Sequence, residues 1–325
     1  MCRPVFLPVT LAVVLAAAVG SRAVESRAAE IAAEITAQPS PRGVVVKIDG
    51  DLFAEYLTRS GNKPIVWPIV GPTGKPMTRA YPMVDLPKGK KDDHPHQRSF
   101  WFTHGSVNGV SFWEEGGKAG SIVHRRFVEV AGGHEGVIVA ENDWLAPGGK
   151  KVCEDLRRLK FGAEKDARWI DFDITLKATA GPLTFGDTKE GTFGVRVADT
   201  MKVDLKQGGK IVNSEGQTDQ NAWGRPAAWV DYYGPVDGET LGIAILNHPD
   251  SFRFPTTWHV RTYGLFAANP FGLHDFPDGQ KADGTHKVPA GGSFSLYYRV
   301  WLHKGDAKEG KVGEAYRAYA QTPKK

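Results

Sequence analysis

The densest chemistry lies in DDHPHQRSFWFTHGSVNGVSFWEE, residues 92–115. His94 and His96 are two apart, so an extended backbone would aim both imidazoles at one face, the spacing of a two-His metal site or a substrate clamp. His104 adds a third imidazole, Arg98 an anion-binding fork and Asn108 an amide, beside the indole of Trp101. Three readings stand open: a solvated loop around an aromatic anchor, a divalent-metal site on His94 and His96 with or without His104, and a metal-free acid/base and substrate-binding stretch.

A second segment, residues 247–276, contains WHVRTYG, whose alternation predicts His259, Arg261 and Tyr263 on one strand face, with Asn269 following. A core does not hold His, Arg and Tyr together without partners, so these read as a site lining, with a structural polar network as the alternative. The third segment, residues 185–198, sets Lys189 and Glu190 in a glycine-bounded turn. Glu190 is a candidate general base and Lys189 an electrostatic stabiliser, against the alternative of solvated turn charges.

With nine Trp in the chain, these are the side chains of a sugar site. Aromatic faces stack on the apolar faces of pyranose rings, and the polar groups hydrogen-bond hydroxyls or move protons. The sequence carries no nucleophile elbow, phosphate loop or dinucleotide fingerprint, which sets phosphoryl transfer and nicotinamide chemistry aside. No cofactor is required, and a divalent metal on His94 and His96 is the one addition the spacing permits.

Strands must position these residues. VVVKI, LFAEYL and PIVWPIV are short runs of β-branched and aromatic residues separated by DGD, SGNKP and GPTGKP turns. In 169–176, Ile170, Phe172, Ile174 and Leu176 should enter a core while Asp171, Asp173 and Thr175 face water. In 293–303, Phe294, Leu296, Tyr298, Val300 and Leu302 share a face; Tyr297, Arg299, Trp301 and His303 on the other would line a groove or pack under another sheet. Val312, Ala315, Tyr316 and Tyr319 have helical spacing. Without a βαβ rhythm, repeat or polar linker, the pattern predicts one large antiparallel β-sandwich of about twenty strands with a short C-terminal helix.

Arg3, the apolar run Val5–Val19 and small residues up to Ala23 predict a signal peptide over 1–23, a flexible tether over 24–42 and a single domain over 43–325. The expected product is exported, periplasmic or extracellular. No later apolar stretch of ~18 residues predicts a membrane span. The net charge of +4 includes Arg3 and Arg22, giving nucleic-acid binding no electrostatic support. Loss of Cys2 with the leader would leave Cys153 unpaired, and its place in KKVCEDLRR reads as an apolar strand position. The oligomeric state is left open.

DHPHQRSFWFTHGSVNGVSFW, TKEGTFGVRVA and WHVRTYGLFAANPFG resemble the PmoA family of secreted bacterial proteins, labelled "methane oxygenase PmoA" and abundant in planctomycete-like genomes. The resemblance spans roughly residues 43–321. Gln97 stands where the family pattern often has another His, and Ser99 where Gly is usual, which weakens a metal role there. The methane monooxygenase subunit of that name is an integral membrane protein, unlike the mature chain expected here. The family pattern is similar instead to the supersandwich of aldose epimerases, a galactose-mutarotase-like fold in which His and Glu share acid/base work; this is an analogy of fold.

These readings combine into an expected carbohydrate-active enzyme: an epimerase, lyase or hydrolase with His96, His104, Glu190 and His259 as catalytic candidates. Arg98, Trp101, Asn108, Lys189, Arg261, Tyr263 and Asn269 are the expected binders. The rivals are a non-catalytic glycan-binding module and a metal-dependent oxygenase, as the family label suggests.

Overall fold

The structure is a computed structural model that describes residues 33–89, 93–277 and 282–324, together with residues 1, 2 and 4. The expected signal peptide falls almost wholly outside the described residues.

The strands, in chain order, are β1 (Ile35–Ser40), β2 (Gly43–Ile48), β3 (Asp51–Ser60), β4 (Lys63–Ile69), β5 (Phe100–His104) and β6 (Ser121–Ala131). Next come β7 (Gly136–Leu145), β8 (Lys151–Glu164), β9 (Ala167–Lys177), β10 (Leu183–Phe185), β11 (Gly191–Arg196) and β12 (Lys210–Asn213). The last are β13 (Trp229–Val236), β14 (Glu239–Asn247), β15 (Trp258–Val260), β16 (Leu265–Ala268), β17 (His286–Val288) and β18 (Ser293–Lys304), followed by helix α1 (Val312–Tyr319). One eight-stranded sheet runs β1-β2-β3-β4-β5-β11-β16-β15, the other β12-β13-β14-β18-β9-β8-β7-β6, and β10 pairs with β17. Every pairing is antiparallel, as hairpin-linked short strands require. The protein is therefore a large all-β sandwich with one short C-terminal helix. Among the described residues no helix is long and apolar enough to cross a membrane.

The core lies between the two sheets. Phe100 of the first meets Phe172 of the second at 5.4 Å, and Phe193 stacks on Tyr298 at 4.8 Å. Ile170, Phe172, Ile174, Leu176, Phe294, Leu296, Tyr298, Val300 and Leu302 all enter this core, as their alternation predicts. Cys153 joins it, and burial pushes its thiol up, so it packs as an apolar residue.

Two expectations are corrected. Asp171 and Asp173 do not face water: burial raises Asp173, while Asp171 accepts a two-pronged hydrogen bond from Arg299 at 2.5 and 2.9 Å. The reason is α1, which packs Val312, Ala315 and Tyr319 against Trp169, Trp301 and Ala244, so the mixed face of β18 lies under a helix and lines no groove. The tether expected over 24–42 is also too long. Ile35–Ser40 forms β1, registering Ile35 with Ile48 and Ser40 with Gly43, because the buried Ile35 side chain belongs to the core.

The sheet also has an outer face. In β5, Phe100, Phe102 and His104 point to the core side and Trp101 and Thr103 outward. Register aligns Ile65, Trp101, Gly194, Ala267 and His259 across five strands on this face. A Cβ on Gly194 would stand 2.6 Å from the Trp101 ring, so glycine lets the indole lie flat on β11.

Docking of α1 yields a stability prediction. Tyr319 is fully buried, with Arg299 at 4.8 Å from its ring. Tyr319→Ala is expected to cost about 3 kcal/mol in urea unfolding; a loss below about 1 kcal/mol would mean the helix is not integral to the fold.

Candidate functional site

The loop between β4 and β5 lies over the outer face, held there by two cations. The buried Arg79 and Arg196 both donate to the Asp93 carboxylate, Arg79 at 2.6 Å and Arg196 at 3.0 Å to each oxygen. Arg79 also donates to the carbonyls of His94 at 3.0 Å and Gln97 at 3.1 Å. Burial alone would raise the Asp93 pKa, but the two guanidinium groups prevail and bring it from its ordinary 3.8 to about 2.

This clamp fixes the imidazoles differently from the expected extended strand. His94 has a left-handed φ of 50° and its carbonyl accepts from the Gln97 N–H at 3.0 Å, so 94–97 is a turn. The turn puts the His94 and His96 rings edge to face at 5.6 Å. His94 stacks on Tyr263, 5.2 Å away and within 7° of parallel. His96 is buried against Trp113 at 6.0 Å, with Nδ1 3.3 Å from the exposed Glu114 carboxylate. Burial, then the nearby Lys63 and His94, lower its pKa to about 4, so His96 is neutral at pH 7.

From Tyr263 the cluster runs on to the sheet edge. Arg261 lies over the Tyr263 and Trp223 rings, its guanidinium carbon 5.9 and 5.4 Å from their centres. The Trp223 indole N–H donates to His259 Nδ1 at 3.1 Å. His259 is buried, and desolvation followed by Arg261 and Lys189 lowers its pKa to about 3. Arg261 and Tyr263 lie beyond the end of β15, in the turn closed by Gly264 N–H to Arg261 O at 3.0 Å, so strand alternation is not what gathers them with His259.

Glu190 enters from the loop before β11. Its Cβ packs where a side chain on Gly105 would stand, and its carbonyl accepts from Gly105 N–H at 2.6 Å. The Asn269 amide holds this loop by donating to Thr188 O at 2.9 Å, and the Lys189 N–H donates to Asp275 at 2.8 Å. Burial raises the Glu190 pKa above its ordinary 4.5 against the pull of Lys189, whose ammonium is 3.6 Å away; Glu114 and Asp275 push the same way as burial. Tyr263 senses the Glu190 charge, and burial raises its phenol, which stays protonated at neutral pH. His94, His96, Lys189, Glu190, His259, Arg261 and Tyr263 therefore belong to one neighbourhood.

Four expected site residues lie elsewhere. His104 points to the core side, between Phe185 at 5.2 Å and Phe271 at 5.0 Å, with Nε2 2.8 Å from Gly186 O, because β5 alternation turns it away from Trp101. Arg98 forms a two-pronged ion pair with Glu115, at 2.7 Å to each oxygen, beside the buried Lys63. Asn108 bridges a turn to Pro182 O and Thr184 N–H. Asn269 is fully buried and positions the Glu190 loop without reaching the surface. Trp101 is floor rather than wall, buried under Trp113 at 5.5 Å.

The structure adds Glu114, Trp223, Gln97, Arg79 and Arg196. Glu114 lies within the densest segment, and Arg196 stands out as a charge between valines in GVRV; nothing in NAWGRP singles out Trp223. Phe276 packs on Trp223 at 5.5 Å and also lines a cavity of about 340 Å³ with Gly224, Pro226, Pro255 and Leu273. That cavity borders the polar cluster and contains none of its acid/base groups. Among the described residues no three His, Cys, Asp or Glu side chains are placed to share a metal ion.

The clamp has a measurable pH signature. The depressed pKa means that Asp93 holds the loop above its ordinary value and releases it as pH falls from about 4 towards 2. Fluorescence quenching of the tryptophans beneath the loop should rise over that window in the native chain. Asp93→Asn should show it already at pH 7, and an unchanged profile would remove the clamp from the account.

No curated protein sequence matches the chain. Among solved structures it is similar to an α-galactosidase from Lactobacillus brevis, with TM-score 0.41 and 8% identity, over 85% of this chain and 40% of that one. It is also similar to a polysaccharide lyase, with TM-score 0.32 and 13% identity, over 86% of this chain and 34% of that one. The chain thus spans less than half the length of either. Residues 43–317 match a family of unknown function, DUF6807, and the chain belongs to that family.

Proposed function

We propose that this is an exported carbohydrate-active enzyme that binds a sugar on the outer face of the first sheet and moves a proton on it, with Glu190 as the base. The observation that carries the reading is a partly exposed carboxyl of raised proton affinity, electrostatically coupled to a protonated phenol in a cluster that also holds a neutral imidazole and the exposed His94 ring. A carboxylate more basic than usual accepts a proton better at neutral pH. The Tyr263 hydroxyl and the His96 imidazole can each donate a hydrogen bond to an oxygen on which negative charge develops, as neutral imidazoles do in other acid/base sites. His94 and Trp223 offer ring faces for a pyranose.

This division of labour keeps Glu190 as the base and narrows the imidazole candidates His96, His104 and His259. His104 is enclosed in the core, and His259 is spent on the Trp223 indole, so proton transfer falls to Glu190, with His96 as a hydrogen-bond donor.

Glu190→Gln should lower turnover on a panel of mono- and oligosaccharides by at least ~10²-fold, with unfolding temperature unchanged. His104→Ala should instead lower stability. Binding of a sugar with no product from the native chain would make the protein a glycan-binding module. The pH profile supplies an independent check: because Lys189 lowers the Glu190 pKa, Lys189→Met should move the acidic limb of kcat/KM to higher pH. A limb that stays in place would remove Glu190 as the base.

A further inference from the structure

Among the described residues, most cations beside the catalytic candidates are paired with a carboxylate. Arg79 and Arg196 share Asp93, Arg98 and Lys63 share Glu115, and Lys189 faces Glu190. Arg261 has no acidic partner among the described residues; its contacts are its backbone N–H to Leu265 O and the Trp223 and Tyr263 rings. The nearby acids are otherwise engaged: Glu114 faces His96, Glu190 faces Lys189, and Asp275 accepts from the Lys189 N–H.

We propose that Arg261 is an anion anchor and that the sugar taken by this site bears a negative exocyclic group, a carboxylate or a sulfate ester. This inference rests on the carbohydrate reading above and names its substrate class. A guanidinium lying on two rings loses hydration and is held in one plane, so its N–H fork is ready for a two-pronged bond to an oxyanion. A pyranose stacked on an aromatic face directs a C5 carboxylate outward near its own ring plane, and Arg261, over the Trp223 and Tyr263 rings, is a guanidinium of this cluster that an oxyanion can complete. The surroundings agree in sign: Arg261, Lys189 and His94 all push the His259 proton off.

The test is calorimetric titration of the full chain with oligouronates, with neutral oligosaccharides of the same linkage and with their sulfated counterparts. The native chain should bind at least one anionic series roughly ten-fold or more tighter than the neutral series, and the two anionic arms tell carboxylate from sulfate. Arg261→Gln should bring the anionic-to-neutral ratio close to one, and Arg261→Lys, which keeps the charge but not the fork, should fall between. Salt should weaken the anionic series selectively in the native chain, a readout independent of how any variant folds. Equal binding of charged and neutral sugars, or a preference that survives in Arg261→Gln, overturns the anchor while leaving the carbohydrate reading intact. Failure of every sugar to bind overturns both.

Discussion

Two guanidinium groups buried on the outer face of the first sheet require an anion, and Asp93 is the one they share. An unpaired buried charge costs several kcal/mol, on the order of 3–5. The loop that carries Asp93 is therefore drawn down onto the sheet. Its neighbours then have little freedom: His94 adopts a left-handed turn and lies on Tyr263, while His96 is pressed against Trp113. Tyr263 in turn supports Arg261, so an ion pair at one end of the site governs ring positions at the other.

The same low-polarity surroundings sort the titratable groups. Desolvation disfavours charge of either sign, keeping His96 and His259 neutral while raising Glu190 and Tyr263. The site thereby combines a base of raised affinity with donors that keep their protons. Exposure then separates reagents from supports. Glu190 keeps 35% of its side chain accessible, whereas His104 is sealed among phenylalanines.

Much of the architecture was legible along the chain because burial imposes a period. Residues 170–176 and 294–302 alternate with the pleat, and 312–319 follow the helical turn, so each element could be read locally. Local pattern failed where a second layer mattered. Asp171 and Asp173 read as solvent-facing until α1 covers them, and Ile35 read as tether until β2 offers it a register partner. At the site, side-chain type was informative but neighbourhood was not. His94, His96, Glu190, His259, Arg261 and Tyr263 were visible as polar residues out of place, while Trp223 gains its place from tertiary contacts, its indole N–H meeting His259 and its ring lying under Arg261.

By itself the sequence determined the kinds of element, the two-faced strands and the three polar segments, because these follow from composition and from periods of two and 3.6 residues. Tertiary structure alone decided which segments meet. The register through Ile65, Trp101, Gly194, Ala267 and His259 joins strands more than a hundred residues apart, and the pleat of β5 sends Trp101 to the site and His104 to the core. Register and facing depend on partners distant in the chain, and no local pattern of residues contains them.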